Sequence, residues 1–417
     1  MSTLKLLHFA DAHIDIVTHG RHDPATGLPV RVLDFLKALD TIVETAIDEK
    51  VDLVIFAGDA YKDRTPAPTF QREWGRRIMR LSAAGIPTLL LVGNHDISPA
   101  TGRAHTLQEF STLQVPHVTV IDKPCFLHPK ELEGLPLQVI GLPWVFRSNL
   151  MASLELSGED PDRINREIED RISDILNQWL EELDPMLPTV LTAHGSVQGA
   201  QYGNERAVML GRDLILPGSL IKDPRLDYVA LGHIHKAQDV NKGSYPPVVY
   251  PGSIERVDFG EVNDEKFFSL VSLEKGKTTF KFCPLPGRRF VDRAIKIGAD
   301  DDVMEKINQG FPAKEEIAAA VFRLSLEYPR NLEPLIDEAA LRARAAAAFD
   351  FHLLRRPVEA SRLRLPADES IASLDPLKML ELYWDTTNQT ALNTPETKQL
   401  AASIIESATT GTSAEEE

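Results

Sequence analysis

Cys125 and Cys283 are the only cysteines in 417 residues. They are too few for a disulfide framework and are not spaced as a metal clip, so both read as packing residues. Long apolar runs are missing as well: nothing approaches the roughly 20 residues needed to span a bilayer, and no membrane role is expected. The opening "MSTLKLLHFAD" is apolar only briefly, meets Asp11 at once and lacks a small-residue cleavage site. It reads as a first strand and not as a secretory signal, which points to the cytoplasm. Positive charge is scarce too. With 45 Lys plus Arg against 62 Asp plus Glu, the formal net charge is -17. That balance disfavours a generic polyanion-binding surface, because nonspecific nucleic-acid affinity comes mainly from Lys and Arg neutralising phosphates.

What remains is ordinary globular material, 43% hydrophobic and 26% charged. A chain of this length is expected to form two or three domains. Short apolar runs that end in polar, metal-competent residues recur: "LKLLHFADAH", "VDLVIFAGDA", "IPTLLLVGNHD", "LPTVLTAHGS" and "LDYVALGHIH". Each has the length and composition of a strand buried on both faces. The amphipathic patterns "VRVLDFLKALDTIVETAIDEK" and "TFQREWGRRIMRLSAAG" lie between the first three and fit helices, the second stopping at Gly85. Alternating strand and helix implies a layered α/β core with parallel pairing, in which ligands gather outside the carboxyl ends of the strands.

Asp11, His13, Asp59, Asn94, His95, His194, His233 and His235 all follow one of these runs. Singly, each has an ordinary explanation as a cap or turn residue. Together they form a mixed oxygen and nitrogen ligand set that suits Mn²⁺, Fe²⁺ or Zn²⁺, with enough donors for two ions and a carboxylate such as Asp59 to bridge them. Two ions about 3.5 to 4 Å apart can serve an in-line displacement at phosphorus, which gives phosphoester hydrolysis as the reaction class.

The ordered set D-x-H (Asp11, His13), G-D (Asp59), G-N-H-D (Asn94, His95, Asp96), a lone His194 and G-H-x-H (His233, His235) resembles the calcineurin-like metallophosphoesterase superfamily. The segment "YPGSIERVDFGEVNDEKFFSLVSLEKG" further resembles the nuclease subunits of SbcCD-type double-strand-break repair complexes. The resemblance implies β-sheets flanked by helices over residues 1–286, a small α/β capping domain contacting DNA over 287–366, and helices for ATPase binding over 367–408. A disordered tail, 409–417, is expected from composition. The resemblance implies Asp11, His13, Asp59 and His235 as ligands of one metal, and Asp59, Asn94, His194 and His233 as ligands of the other. His95 is implied as the substrate-facing non-ligand, oriented by Asp96.

The activity implied is that of an Mn²⁺-dependent 3′ to 5′ double-strand exonuclease and single-strand endonuclease. Its implied partners are DNA ends and hairpins, an SMC-like ATPase of the SbcC type and a second copy of the chain. Two positions depart from the pattern: Asp15 stands where a glycine is usual, and Lys62 where a histidine is frequent. Lys62 and Arg64 are candidate phosphate contacts, while Trp74 reads as core. Arg342, Arg344, Arg355, Arg356, Arg362 and Arg364 give the capping domain a local basic excess. Leu377, Leu380, Leu382, Tyr383 and Trp384 offer an apolar face that fits either a partner groove or the capping domain itself. The rival readings are an esterase for a small phosphodiester or phosphoprotein, and a non-catalytic adaptor of the ATPase.

Overall fold

The fold comes from a computed structural model in which residues 3–14, 22–97, 103–144, 161–202, 215–358, 375–386 and 393–411 are described. Asp15, Glu359, Arg362 and Arg364 lie outside them. The chain divides into two compact units, Met1–Phe290 and Val291–Glu417.

The first unit is built on strands β1 (Leu4–Phe9), β2 (Leu53–Phe56), β3 (Thr88–Leu91), β4 (Val118–Ile121), β5 (Cys125–Leu127), β6 (Gln138–Leu142) and β7 (Thr189–His194). After a two-stranded ribbon of β8 (Ser196–Val197) and β9 (Ile215–Leu216) come β10 (Tyr228–Gly232), β11 (Gln238–Asp239), β12 (Val248–Tyr250), β13 (Lys266–Leu273) and β14 (Thr279–Leu285). They form two six-stranded sheets, ordered β14-β13-β1-β2-β3-β4 and β11-β12-β10-β7-β6-β5. Pairing is parallel from β1 through β4, and again from β12 through β10 and β7 to β6. The sequence patterns suggested one sheet edge; the five metal-competent runs are in fact shared between two sheets, β1, β2 and β3 in one and β7 and β10 in the other.

Strand periodicity explains how two sheets share one core. Alternate residues point to opposite faces. Leu4 and Leu6 of β1, with Leu53, Ile55 and Leu89, pack against Val139, Val190, Tyr228 and Ala230 of the second sheet. Leu7 and Phe9 face the other way, towards helices α1 (Val30–Asp48) and α2 (Pro68–Ala83), where Phe35, Leu39, Ile42, Trp74 and Ile78 cover them. Trp74 is fully buried among Phe9, Phe56 and Tyr61. On the outer face of the second sheet, Ile168, Ile172, Leu176 and Leu180 of helix α4 (Pro161–Glu181) cover Leu191, Val229 and Leu231. A short helix, α3 (Gln108–Thr112), precedes β4. The resulting order is helix, sheet, sheet, helix. Each fully buried Leu, Ile or Phe in these layers contributes roughly 1.5–3 kcal/mol.

The second unit holds a three-stranded sheet ordered β15-β16-β17, comprising β15 (Phe290–Lys296), β16 (Val321–Pro329) and β17 (Asp350–Val358). Helices α5 (Val303–Gly310) and α6 (Glu338–Arg344) alternate with them, capped by the Asp302 and Asp337 carboxylates. Phe322, Leu324, Leu326, Ile307 and Leu341 form its core. Helices α7 (Pro376–Thr386) and α8 (Pro395–Gly411) follow, with Asp375 accepting from Leu377 N–H and Thr394 from Thr397 N–H. They touch through a Lys398–Glu381 ion pair of 2.8 Å. Trp384 is buried, whereas Tyr383 is exposed. Helix α8 runs two residues beyond 409, where the tail was expected to begin. No helix among the described residues is long and apolar enough to cross a membrane.

Candidate metal centre

The carboxyl ends of β1, β2, β3, β7 and β10 deliver Asp11 and His13, Asp59, Asn94 and His95, His194, and His233 and His235 to one place. His13 Nε2 stands 2.8 Å from His235 Nε2 and 3.9 Å from oxygens of both Asp11 and Asp59. Asn94 Oδ1 lies 2.9 Å from His194 Nε2 and 3.1 Å from His233 Nδ1. Asp59 Oδ2 faces both groups, being 3.3 Å from His194 Nε2 and 3.9 Å from His13 Nε2, while its Oδ1 accepts the His95 backbone N–H at 2.8 Å. Three sets of donors, Asp11–His13–His235, Asp11–Asp59–His194 and His13–Asp59–His95, each fall within 4.8 Å. The donor set fits metal ions. Ala57 carbonyl accepts from His194 Nδ1 at 2.7 Å and a carboxylate accepts from His235 Nδ1 at 2.6 Å, so in both rings Nε2 is the nitrogen turned towards the cluster.

This geometry requires unusual backbone. Asp11, His13, Asp59 and His233 all have left-handed φ, of 52°, 41°, 64° and 99°. Such conformations cost on the order of 1–3 kcal/mol each and persist only where surrounding bonds over-determine them. Here the bonds are visible: Asp11 N–H donates to Gly58 carbonyl, His13 N–H to Asp59 carbonyl, and His233 N–H to both Asp11 carboxylate oxygens at 3.0 Å. Strand β10 stops at Gly232, and the turn after it separates the two rings while Ile234 enters the core.

Charge follows the burial. Burial lifts the Asp11 carboxyl above its ordinary value. For Asp59 burial pulls the same way, but His194 beside it wins and holds the carboxyl well below the usual range. His194 responds in kind: burial alone would lower it, but Asp59, Asp11 and the Ala57 carbonyl carry it up to about 9. His13 is pushed down by burial and by His235.

Asp96 differs from expectation. Its carboxylate accepts from the N–H groups of Gly93, Asp59 and Ala60 and from the Thr106 hydroxyl, at 2.9 to 3.0 Å, and so ties the β2 and β3 loops together. Burial and the Asp59 charge push it up to about 6. The His95 ring is oriented instead by the Lys62 backbone, Nδ1 lying 2.6 Å from its carbonyl, and packs edge-on against His13 with ring centres 5.1 Å apart. Lys62 thus contributes its carbonyl, and its side chain is exposed. Arg64 lines an open groove with Gln71, His105 and Gln108.

Two neighbours were not read from sequence. Trp144, just past β6, lies 5.0 Å from the His233 ring, tilted by 37°, and 6.1 Å from His194. The apolar run "LQVIGL" before it is a sixth strand-end signal, missed because it leads to an aromatic. Glu261 is the carboxylate on His235, and it sits in a short 3-10 turn that no periodicity marks.

Comparison with known proteins adds the family. The family model for calcineurin-like phosphoesterases matches residues 4–237, more than half of the chain. The chain is 25% identical over 281 residues to SbcD of the SbcCD nuclease of Escherichia coli, an alignment covering 66% of each chain. It is 23% identical over 396 residues to "DNA double-strand break repair protein Mre11" of Archaeoglobus fulgidus, covering 91% of this chain and 80% of that one. It is also 24% identical over 289 residues to "Uncharacterized metallophosphoesterase YhaO" of Bacillus subtilis, covering 68% of this chain and 60% of that one. The chain thus spans just under two thirds of the length of the first relative. With the family motifs standing in order on converging strand ends, the chain belongs to the calcineurin-like phosphoesterase family.

Proposed function

We propose that this chain is the nuclease subunit of an SbcCD-type DNA repair complex. In this reading it is an Mn²⁺-dependent enzyme that trims double-stranded ends 3′ to 5′ and nicks single strands near ends and hairpins. The observation that carries it is the convergence of six donor residues around a seventh, the Asp59 carboxylate, in a chain whose relatives are named as repair nucleases.

Asp11, His13, Asp59 and His235 would hold one ion, and Asp59, Asn94, His194 and His233 the other. Bound there, two divalent cations supply the positive charge that stabilises a phosphoryl group under in-line attack. The chain's own residues do the rest. His95 is half-buried at the rim, and with Nδ1 tied to Lys62 carbonyl its Nε2 is the nitrogen that exchanges a proton with the leaving oxygen. Asp96 keeps the His95 loop and the Asp59 loop in register. Trp144 packs on His233 and limits its rotation.

The second unit supports the larger assignment. Arg342, Arg344 and Arg355 are engaged by Glu338, Asn308 and Glu338, which leaves Arg356, among the described residues of this basic set, as an exposed candidate for phosphate contact. Leu400 and Ile404 expose an apolar face on α8 that suits an SMC-like ATPase, and the chain works as a cytoplasmic homodimer in this reading. The -17 charge favours the rival substrate, a small phosphodiester or phosphoprotein. An assay in Mn²⁺ with linear duplex, hairpin DNA, a chromogenic phosphodiester and a cyclic nucleotide separates them. Degradation of duplex and hairpin is expected; activity confined to the small substrates would overturn the nuclease reading.

A further inference from the structure

We propose that Glu261 and Lys266 form a buried positioning pair that fixes which nitrogen His235 offers to a metal ion, and thereby sets the affinity of that metal position. The inference rests on reading the cluster as a metal centre. Its starting point is the His235 ring, whose two nitrogens have different neighbours. Nδ1 is 2.6 Å from Glu261 Oε1, and Nε2 is 2.8 Å from His13 Nε2. A carboxylate only accepts, so Nδ1 carries the proton and Nε2, facing the cluster, is the one nitrogen whose lone pair the ring can offer to an ion.

The carboxylate is itself held against rotation. Glu261 Oε2 takes Lys266 Nζ at 2.7 Å, Val257 N–H at 2.9 Å and the Ser253 hydroxyl at 3.3 Å. Only Oε1 is left for His235. Lys266 Nζ also donates to Ser253 Oγ at 2.8 Å and reaches His235 carbonyl at 3.4 Å, so it braces both the carboxylate and the backbone of the histidine. The Lys266 side chain is 0% exposed. A wholly buried ammonium is costly unless it is paired and hydrogen-bonded, and such a pair adds little to stability over an apolar replacement. Its placement behind a ligand histidine gives it a use: outer carboxylates on metal-binding imidazoles fix the tautomer and raise ligand basicity. Glu261 touches neither substrate nor ion in this arrangement, which makes it a positioning residue.

Glu261→Gln keeps the size but replaces one oxygen by an NH₂ group. Either orientation then points a donor at a donor: at His235 Nδ1–H, or at Lys266 and Val257 N–H. Calorimetric Mn²⁺ titration of the full-length variant should show one of two ions bound roughly 10- to 100-fold more weakly, the other within about threefold of wild type. Circular dichroism of the metal-free protein checks that the variant is folded. Folded Glu261→Gln protein with wild-type affinity for both ions would overturn the proposal. The wild-type chain gives a second test independent of the variant's folding. Long-range ¹H–¹⁵N spectra of the metal-free protein, assigned with His235→Gln and followed upwards in pH until the His235 ring is neutral, should show the remaining proton on Nδ1 and Nε2 bare. The opposite tautomer would overturn the proposal. Wild-type protein that takes up no Mn²⁺ would overturn the metal-centre reading instead, and the tautomer spectrum still decides the Glu261 geometry.

Discussion

Gly232→Ala tests how tightly the two sheets are drawn together at the cluster. A Cβ built on Gly232 would lie 2.0 Å from Ala57 carbonyl oxygen and 2.9 Å from His194 Nδ1. Atoms of this kind keep at least 3.0 Å apart, so about 1 Å has to be found in close-packed surroundings. The obstructing atom belongs to backbone, and Ala57 cannot swing aside because its N–H is bonded to Phe9 carbonyl at 2.9 Å. Overpacking of this kind costs roughly 1–3 kcal/mol. Displacing Ala57 carbonyl also breaks its 2.7 Å bond to His194 Nδ1, worth about 0.5–1.5 kcal/mol.

The expected loss is about 1.5–4.5 kcal/mol, which lowers the melting temperature by roughly 3–18 °C in a unit of this size. Because the same bond orients His194, Mn²⁺ affinity should fall by about tenfold or more. Gly75→Ala is the control. Gly75 lies inside α2 with nothing within 4 Å of an added Cβ, so the substitution should stabilise by roughly 0.5–1 kcal/mol. Thermal melts with and without Mn²⁺ read both. A Gly232→Ala protein that melts within about 2 °C of wild type and binds Mn²⁺ equally well would mean that the sheets yield at this point and that the bond to His194 is dispensable.

Two further substitutions and a truncation probe other links. His95→Ala should retain Mn²⁺ while hydrolysis of duplex DNA is lost; elemental analysis showing that the ions leave would make His95 a ligand, which its nearness to His13 and Asp59 allows geometrically. His8 lies between the sheets with Nδ1 3.0 Å from Tyr228 hydroxyl, and burial drives its pKa from 6.5 down to about 3. The unfolded chain therefore takes up a proton that the folded chain refuses. Stability is complete above about pH 6.5 and falls by up to about 1.4 kcal/mol per unit as pH drops towards 3. Between pH 7 and pH 5 the stability advantage of wild type over His8→Gln, from urea midpoints, should narrow by about 2 kcal/mol; an unchanged gap would contradict the neutral assignment. Deleting the chain after Ala367 should abolish binding to an SMC-like ATPase and leave hydrolysis intact. Retained binding would assign α7 and α8 to packing within the second unit.

The donors were legible because each follows a short apolar run, and an α/β layer sends the ends of parallel strands to one edge. Asp11, Asp59, Asn94, His194 and His233 are local in this sense. Their division between two sheets was not legible, since a run such as "LDYVALG" has the same composition whichever neighbour it pairs with. The separation of His233 from His235 depends on a left-handed turn at a histidine, which no propensity predicts. Asp96 was placed beside His95 by adjacency in sequence, whereas its bonds go to Gly93 N–H of its own loop, to Asp59 and Ala60 N–H of another and to the Thr106 hydroxyl. Glu261 and Lys266 meet His235 only through tertiary packing, across 26 and 31 residues.

The most direct test counts ions. Equilibrium dialysis against Mn²⁺ followed by elemental analysis, on wild type and on Asp59→Asn, addresses the carboxylate whose Oδ2 faces both histidine groups. Two Mn²⁺ per wild-type chain and fewer than two in the variant are expected, with loss of Mn²⁺-dependent DNA hydrolysis. A wild-type chain holding one ion or none, or a variant that keeps two, would contradict the shared-carboxylate centre from which the proposed function follows.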